Sequence, residues 1–124
     1  MPFSGEVIAR KGANMKTQPA READIVKRIL RYLKSIPGCF CWKEHGGMYG
    51  TAGIPDVIAC INGHFYGFEV KTETGRPTKL QEATIRKIAE AGGTATIVRS
   101  VDEVRALVEG FNIRCVEITD KEVI

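Results

Sequence analysis

The chain has 124 residues, of which 44% are hydrophobic and 27% are charged, a composition typical of one globular domain with its own core. No apolar run approaches the roughly 18 residues that a membrane span needs. The first residues also lack the basic-then-apolar pattern of a secretory signal, so we expect a cytoplasmic protein. The net charge of +3 is mild and does not by itself identify a partner.

Positive charge is concentrated in the first third of the chain. Residues 1–34 contain three acidic residues and eight basic ones, which are Arg10, Lys11, Lys16, Arg21, Lys27, Arg28, Arg31 and Lys34. A basic segment suits a polyanion such as DNA, although solvated helix faces are often basic for no other reason. Residues 1–18 are polar and lack periodicity, so we expect a flexible or extended arm before one domain over residues 19–124.

The first predicted helix covers residues 19–35. Its apolar residues recur at helical spacing from Ile25 to Ile36, and Pro37-Gly38 ends it. Glu22 extends the apolar stripe, which would give its carboxylate a partner inside the protein. The alternative is that Glu22 only stabilises the dipole of the first helical turn, and the sequence leaves both interpretations open.

A short strand is predicted for residues 39–44, followed by a glycine-rich loop over residues 46–53 that can approach a ligand closely. Cys39 and Cys41 lie in this strand, and their spacing matches no usual zinc pattern. We interpret these two cysteines as buried structural thiols.

Residues 56–71 read as one β-hairpin. Asn62-Gly63, between two apolar runs, predicts a type I′ turn, and this turn places Asp56 directly opposite Glu69. Lys71 projects from the same face of the strand as Glu69. Two opposed carboxylates repel each other, and either a divalent cation or the Lys71 ammonium would offset that repulsion.

The two faces of the hairpin are both mostly apolar, which predicts a central position in the sheet with both faces covered. A capping box over residues 78–81 predicts a helix to about residue 91, with Leu80, Ile85 and Ile88 facing inward. The next predicted elements are a strand over residues 94–99, a short helix capped by Ser100 and a last strand over residues 111–118. This order predicts an α/β fold around a mixed sheet.

These motifs resemble the PD-(D/E)XK nuclease superfamily and, more closely, its virus-type replication-repair nuclease (VRR-NUC) branch of small stand-alone phage and bacterial type. The matching elements lie between residues 21 and 108, and they are Glu22, Gly53-Ile54-Pro55-Asp56, Glu69-Val70-Lys71, Gln81, Gly92-Gly93 and Val98-Arg99-Ser100. The resemblance implies a restriction-endonuclease-like αβββαβ core, with a central mixed β-sheet flanked by helices.

The resemblance also implies a DNA-repair endonuclease that uses Mg²⁺ or Mn²⁺ and no organic cofactor. Asp56, Glu69 and the Val70 carbonyl would bind the metal, and Glu22 would complete the site directly or through water. A bound metal can polarise a phosphoryl oxygen and lower the pKa of a bound water, so these donors suit phosphodiester hydrolysis.

Lys71, by the same resemblance, would orient the attacking water or stabilise charge that develops on the phosphate. Gln81 would position Lys71 or the water. A different interpretation is that Gln81 serves only the capping box, with its side chain bonded to the Thr78 amide. We expect either role of Gln81 to exclude the other.

The resemblance to Holliday-junction resolvases further suggests a homodimer acting on branched DNA, since a two-fold dimer presents two equivalent sites. Candidate phosphate contacts are Arg21, Lys27, Arg28, Arg31, Arg76 and Lys79. Two alternatives remain. One is a flap, nicking or restriction-like nuclease with the same site, and the other is a nucleic-acid-binding module without catalysis.

Overall fold

A computed structural model describes residues 21–45 and 52–110. The predicted N-terminal arm, most of the glycine-rich loop and the predicted last strand lie outside these residues. No helix in the described part is long and apolar enough to cross a membrane. The elements, in chain order, are α1 Glu22–Lys34, β1 Cys39–Lys43, β2 Val57–Ile61, β3 His64–Val70, α2 Lys79–Glu90, β4 Thr94–Val98 and α3 over residues 101–110.

The four described strands form one mixed sheet in the order β1-β2-β3-β4. β1 is antiparallel to β2 and β2 to β3, whereas β3 and β4 are parallel. Ile61 pairs with His64 across the hairpin turn. Asn62 and Gly63 have φ angles of 49° and 86°, as a type I′ turn requires. The predicted α/β class, mixed sheet, hairpin register and central hairpin position are therefore confirmed.

Helices α1 and α3 cover one face of the sheet and form the main core with it. The buried side chains of this core share the odd-numbered face of β2 and the even-numbered face of β3, and they are Ile25, Val26, Ile29, Leu33, Val57, Ala59, Ile61, Tyr66, Phe68, Val70, Val98, Val104 and Val108. Arg105 of α3 lies over the Tyr32 ring of α1, 4.5 Å from its centroid. Ser100 Oγ accepts from the Glu103 amide and caps α3 as predicted.

The opposite face of the sheet is covered only in part. α2 packs over β3 and β4, and no residue of α2 is fully buried. Leu80 is 51% exposed and Phe40, on edge strand β1, is 70% exposed. The prediction that Leu80 faces inward is therefore wrong, as is the prediction that both faces of the hairpin are covered. One helix cannot span four strands spaced about 4.8 Å apart, so the β1–β2 side stays open.

The described cysteines are free thiols. Cys39 and Cys41 are half-buried, and burial together with the neighbouring Cys41 thiol raises the pKa of Cys39 to about 11. A thiol with that pKa stays protonated and inert, which agrees with a structural role. Cys60 is exposed, in agreement with the finding that its face of the hairpin is not fully covered.

Candidate active site

The Asp56 and Glu69 side chains meet at one end of the central hairpin. Val57 pairs with Phe68, which places the preceding Asp56 opposite Glu69. The Val70 amide donates to Asp56 Oδ2 at 2.9 Å and fixes the aspartate against β3. Because the N–H and C=O of one strand residue project from the same edge, the Val70 carbonyl leaves β3 on the Asp56 side.

The segment before Asp56 is wedged between β3 and α2. Gly53 has a φ of 84°, and a Cβ there would lie 2.8 Å from Thr84 Oγ1 and 2.9 Å from Leu80 Cγ. Pro55 is fully buried, and a Cβ at Gly67 would lie 3.0 Å from its Cγ. The small residues let the backbone approach α2 and β3, and this packing fixes the position of Asp56.

Glu69 is the one charged residue among the described ones that is buried, with 2% of its surface exposed. Its Oε2 atom accepts from Gln81 Nε2 at 2.9 Å and lies 3.4 Å from Lys71 Nζ. Its Oε1 atom is buried and has no hydrogen-bond partner in the described part of the chain. Burial, and next the negative charge of Asp56, raise the pKa of Glu69 to about 7, while the Lys71 ammonium opposes them.

Gln81 makes both contacts that the sequence treats as alternatives. Its Oε1 accepts from the Thr78 amide at 2.8 Å, and Thr78 Oγ1 accepts from the Gln81 amide at 3.1 Å, which completes the capping box. Its Nε2 donates at the same time to Glu69. The prediction that one role excludes the other is wrong, because the carboxamide has both an acceptor and a donor. Gln81 thus contacts the carboxylate itself.

Lys71 lies just beyond β3, with 12% of its side chain exposed. Its amide donates to the Val98 carbonyl of β4 at 3.0 Å. Arg99, one residue beyond Val98, binds the loop that follows Lys71 through Nη1, which donates to the Thr72 carbonyl and, at 2.9 Å, to that of Gly75. No sequence motif assigns Arg99 this role, because the contact depends on how β3 and β4 are aligned.

Glu22 does not join Asp56 and Glu69 in a cluster of three. Among residues 21–45 and 52–110, no group of three or more acidic, histidine or cysteine side chains is arranged to hold a metal ion. Glu22 is exposed in the first turn of α1, so the prediction that it lies on an inward-facing stripe is wrong. Its position fits the alternative, in which it stabilises the helix dipole. The short connection at residues 35–38 makes α1 antiparallel to β1, which leaves Glu22 at the same end of the sheet as Asp56. Its participation through water stays a prediction.

The six predicted phosphate-contacting side chains are all exposed, and they fall into two groups. Arg76 and Lys79 flank the carboxylates, in the loop after Lys71 and at the start of α2. The others, which are Arg21, Lys27, Arg28 and Arg31, lie at the start of α1 or along it, and α1 covers the other face of the sheet. Only Arg21 in this second group lies toward the carboxylate end.

Comparison with known proteins agrees with this geometry. Two solved structures, titled "VRR_NUC domain" and "VRR_NUC domain protein", are similar to the chain, with TM-scores of 0.60 and 0.61 and identities of 23% and 18%. The matches cover 71% and 74% of this chain, and 94% and 88% of the other chains. They confirm the predicted VRR-NUC-like, restriction-endonuclease-like fold.

Among curated proteins, no sequence matches the chain significantly. The sequence model of the family described as "Archaeal holliday junction resolvase (hjc)" matches residues 44–119, more than half of the chain. That range contains Asp56, Glu69, Lys71 and Gln81. The chain therefore belongs to the archaeal Holliday junction resolvase family of nucleases.

Proposed function

We propose that this protein is a metal-dependent endonuclease that hydrolyses phosphodiester bonds in DNA, with the four-way junction as its foremost substrate. The observation that supports this most strongly is the buried Glu69 carboxylate, which faces Asp56 and has one oxygen without a hydrogen-bond partner among residues 21–45 and 52–110. Burial disfavours the ionised form of such a carboxylate. The Lys71 ammonium contacts only Oε2, so a cation at Oε1 would stabilise the charge further.

The donors at this position fit a divalent cation. Asp56 Oδ1 and Oδ2, Glu69 Oε1 and the Val70 carbonyl are hard oxygen ligands, the type that Mg²⁺ and Mn²⁺ prefer. When bound, such an ion would polarise a phosphoryl oxygen and lower the pKa of a bound water. Asp56 and Glu69 would hold it, and a water-mediated contact with Glu22 would supplement them.

The other two side chains would act on the geometry and charge around the reacting phosphate. Lys71 supplies an ammonium 3.4 Å from Glu69 Oε2, where it can orient a water molecule or neutralise charge on the phosphate. Gln81 binds the same oxygen, so the two donors together hold Oε2 and leave Oε1 for the metal. Gln81 in this role positions Glu69 rather than Lys71.

The family of the chain and its surface charge support branched DNA as the substrate. Arg76 and Lys79 would contact the phosphates beside the scissile bond, and Arg21 would contact those near the start of α1. Lys27, Arg28 and Arg31 would meet a second arm, because α1 lies on the other face of the sheet. A four-way junction offers such diverging arms, whereas a linear duplex does not.

A homodimer is part of the proposal. A junction has two equivalent strands to cut, and a two-fold dimer presents two equivalent sites to them. Phe40, Trp42 and Phe65 expose large apolar surface on the open sheet face, which is typical of a protein interface. We expect a second copy of the chain to pack there, and sedimentation of wild type and Phe40→Ser tests this expectation.

The test of function is cleavage of end-labelled four-way junction, flap and linear duplex DNA, with Mg²⁺, Mn²⁺ or EDTA. Wild type is compared with Asp56→Asn and Lys71→Met, and with Glu73→Gln, which removes an exposed carboxylate near the site. We expect metal-dependent junction cleavage that the first two substitutions reduce at least 100-fold and the third leaves within twofold.

Other outcomes separate the alternatives. Metal-dependent cleavage of the flap or duplex in preference to the junction would support the proposed active site but contradict the proposal that the four-way junction is the foremost substrate. Salt-sensitive DNA binding without cleavage in either metal would contradict the enzyme and leave a binding module.

A further inference from the structure

Glu44 lies in the same row of residues as the two candidate metal ligands. Lys43 pairs with Val57 at the end of the β1–β2 ladder. The next rung continues that register, because the Glu44 amide donates to the Asp56 carbonyl at 2.7 Å. Glu44 therefore lies directly opposite Asp56, just as Asp56 lies opposite Glu69, and the three acidic residues form one row across β1, β2 and β3.

The three side chains of this row share one face of the sheet. Directly opposed residues project from the same face, with Cβ atoms about 5 Å apart. Trp42, two residues before Glu44, is on that face as well. Its Nε1 donates to Glu44 Oε1 at 3.0 Å, so the half-buried carboxylate is turned along its own strand, toward Trp42 and away from Asp56.

We propose that Glu44 is the third carboxylate of the metal site, an inference that rests on the proposed function. The buried Glu69 Oε1 atom, which has no hydrogen-bond partner among the described residues, independently indicates a ligand at this row. With Asp56 and Glu69 ionised and Lys71 protonated, the site has a net charge of about −1. An ionised Glu44 brings this net charge to about −2, which would balance a divalent cation. Glu44 would therefore bind the metal beside Asp56 and Glu69, in addition to the water-mediated contact proposed for Glu22.

In the described residues the three carboxylates are not yet grouped as a metal site, so binding would require the Glu44 side chain to rotate toward Asp56. Rotation about its side-chain torsions would exchange the Trp42 hydrogen bond for the metal or one of its water ligands. The indole N–H is a neutral donor, and a divalent cation attracts a carboxylate more strongly than a neutral donor does. Trp42 thus positions Glu44 in the metal-free protein and releases it when the metal binds.

The first test is Mn²⁺ binding, measured by the EPR signal of the free ion, for wild type, Glu44→Gln, Asp56→Asn and Glu73→Gln. We expect Glu44→Gln to bind Mn²⁺ about tenfold more weakly, and Glu73→Gln to stay within twofold of wild type. Wild-type affinity in Glu44→Gln, together with lost affinity in Asp56→Asn, would overturn the role of Glu44 and leave the metal site intact. Unchanged affinity in Asp56→Asn would overturn the metal site itself.

The second test uses the one tryptophan of the chain as a reporter. Mg²⁺ should change the Trp42 emission of wild type, because the indole loses its carboxylate partner, and should leave that of Glu44→Gln unchanged. Trp42→Phe releases Glu44 and should bind Mn²⁺ at least as tightly as wild type. A Trp42→Phe variant that binds as weakly as Glu44→Gln would contradict the exchange, provided that both variants unfold at the wild-type temperature.

Discussion

Glu69→Gln should make the metal-free protein more stable at neutral and alkaline pH. Burial and the charge of Asp56 raise the pKa of Glu69 from 4.5 to about 7. The folded protein then holds the Glu69 proton more tightly than the unfolded chain between these two values. The free energy of unfolding therefore falls as the pH rises through this window, and the full loss is present above pH 7.

The size of this effect follows from the pKa of Glu69. Each pKa unit of difference between the folded and unfolded states corresponds to about 1.4 kcal/mol. A pKa of about 7 instead of 4.5 thus lowers stability by on the order of 3 kcal/mol at pH 8. Glutamine resembles the protonated carboxyl in shape and can still accept from Gln81, so Glu69→Gln avoids this loss.

The assay is thermal unfolding followed by circular dichroism in EDTA, between pH 5 and pH 8. We expect Glu69→Gln to unfold about 10 °C above wild type at pH 8, with the difference shrinking toward pH 5. Glu73→Gln removes an exposed carboxylate four residues away and should unfold with wild type throughout. A Glu69→Gln variant that is no more stable than wild type at pH 8, or equally stabilised at pH 5, would refute the reasoning.

Three further predictions concern the residues around Glu69. Mg²⁺ should raise the unfolding temperature of wild type more at pH 8 than at pH 6, because Glu69 must lose its proton to bind the ion, and scanning calorimetry at both pH values checks this. Thr78→Ala should lower the free energy of unfolding by about 1 kcal/mol, because the helix cap is lost, and should leave the cleavage rate near normal. Gln81→Ala should lower stability as well and should also slow single-turnover cleavage at least tenfold. Equal cleavage rates in the two variants would contradict the contact of Gln81 with Glu69. Gly53→Ala should lower the free energy of unfolding by more than about 1 kcal/mol, because Gly53 has a positive φ and is crowded by α2. Gly110→Ala is the control and should not lower it, because a Cβ there meets nothing within 4 Å. Urea unfolding compares the two variants.

The hairpin and its two carboxylates were predictable because local chemistry determines them. Asn62-Gly63 selects one turn type, that turn sets the register, and the register places Asp56 opposite Glu69. The capping box likewise marks the start of α2, which puts Gln81 in its first turn. Each of these inferences uses residues less than about 15 positions apart, and none needs knowledge of how distant elements pack.

The errors arise where distant elements meet. Helical spacing made Leu80 look like a core residue, but α2 covers only part of the sheet and leaves Leu80 exposed. Glu22 extends the apolar stripe of α1, yet its side chain in the first turn is exposed. The sequence gives the side of a helix that is apolar, but not how far the neighbouring layer reaches.

Glu44 is the opposite case, a residue of the proposed site that the sequence does not single out. Nothing in the run Trp42-Lys43-Glu44 distinguishes a site residue from a charged strand end, because β1 and β2 are joined through a glycine-rich loop that sets no register. The pairing of Lys43 with Val57 is what brings Glu44 beside Asp56. A metal-free site with Glu44 bonded to Trp42 has fewer opposed negative charges than one with three carboxylates together. The hydrogen bond between Glu44 and Trp42 therefore limits the repulsion among the carboxylates, which together with burial raises the pKa of Glu69. The three carboxylates would come together only when a cation balances their charge.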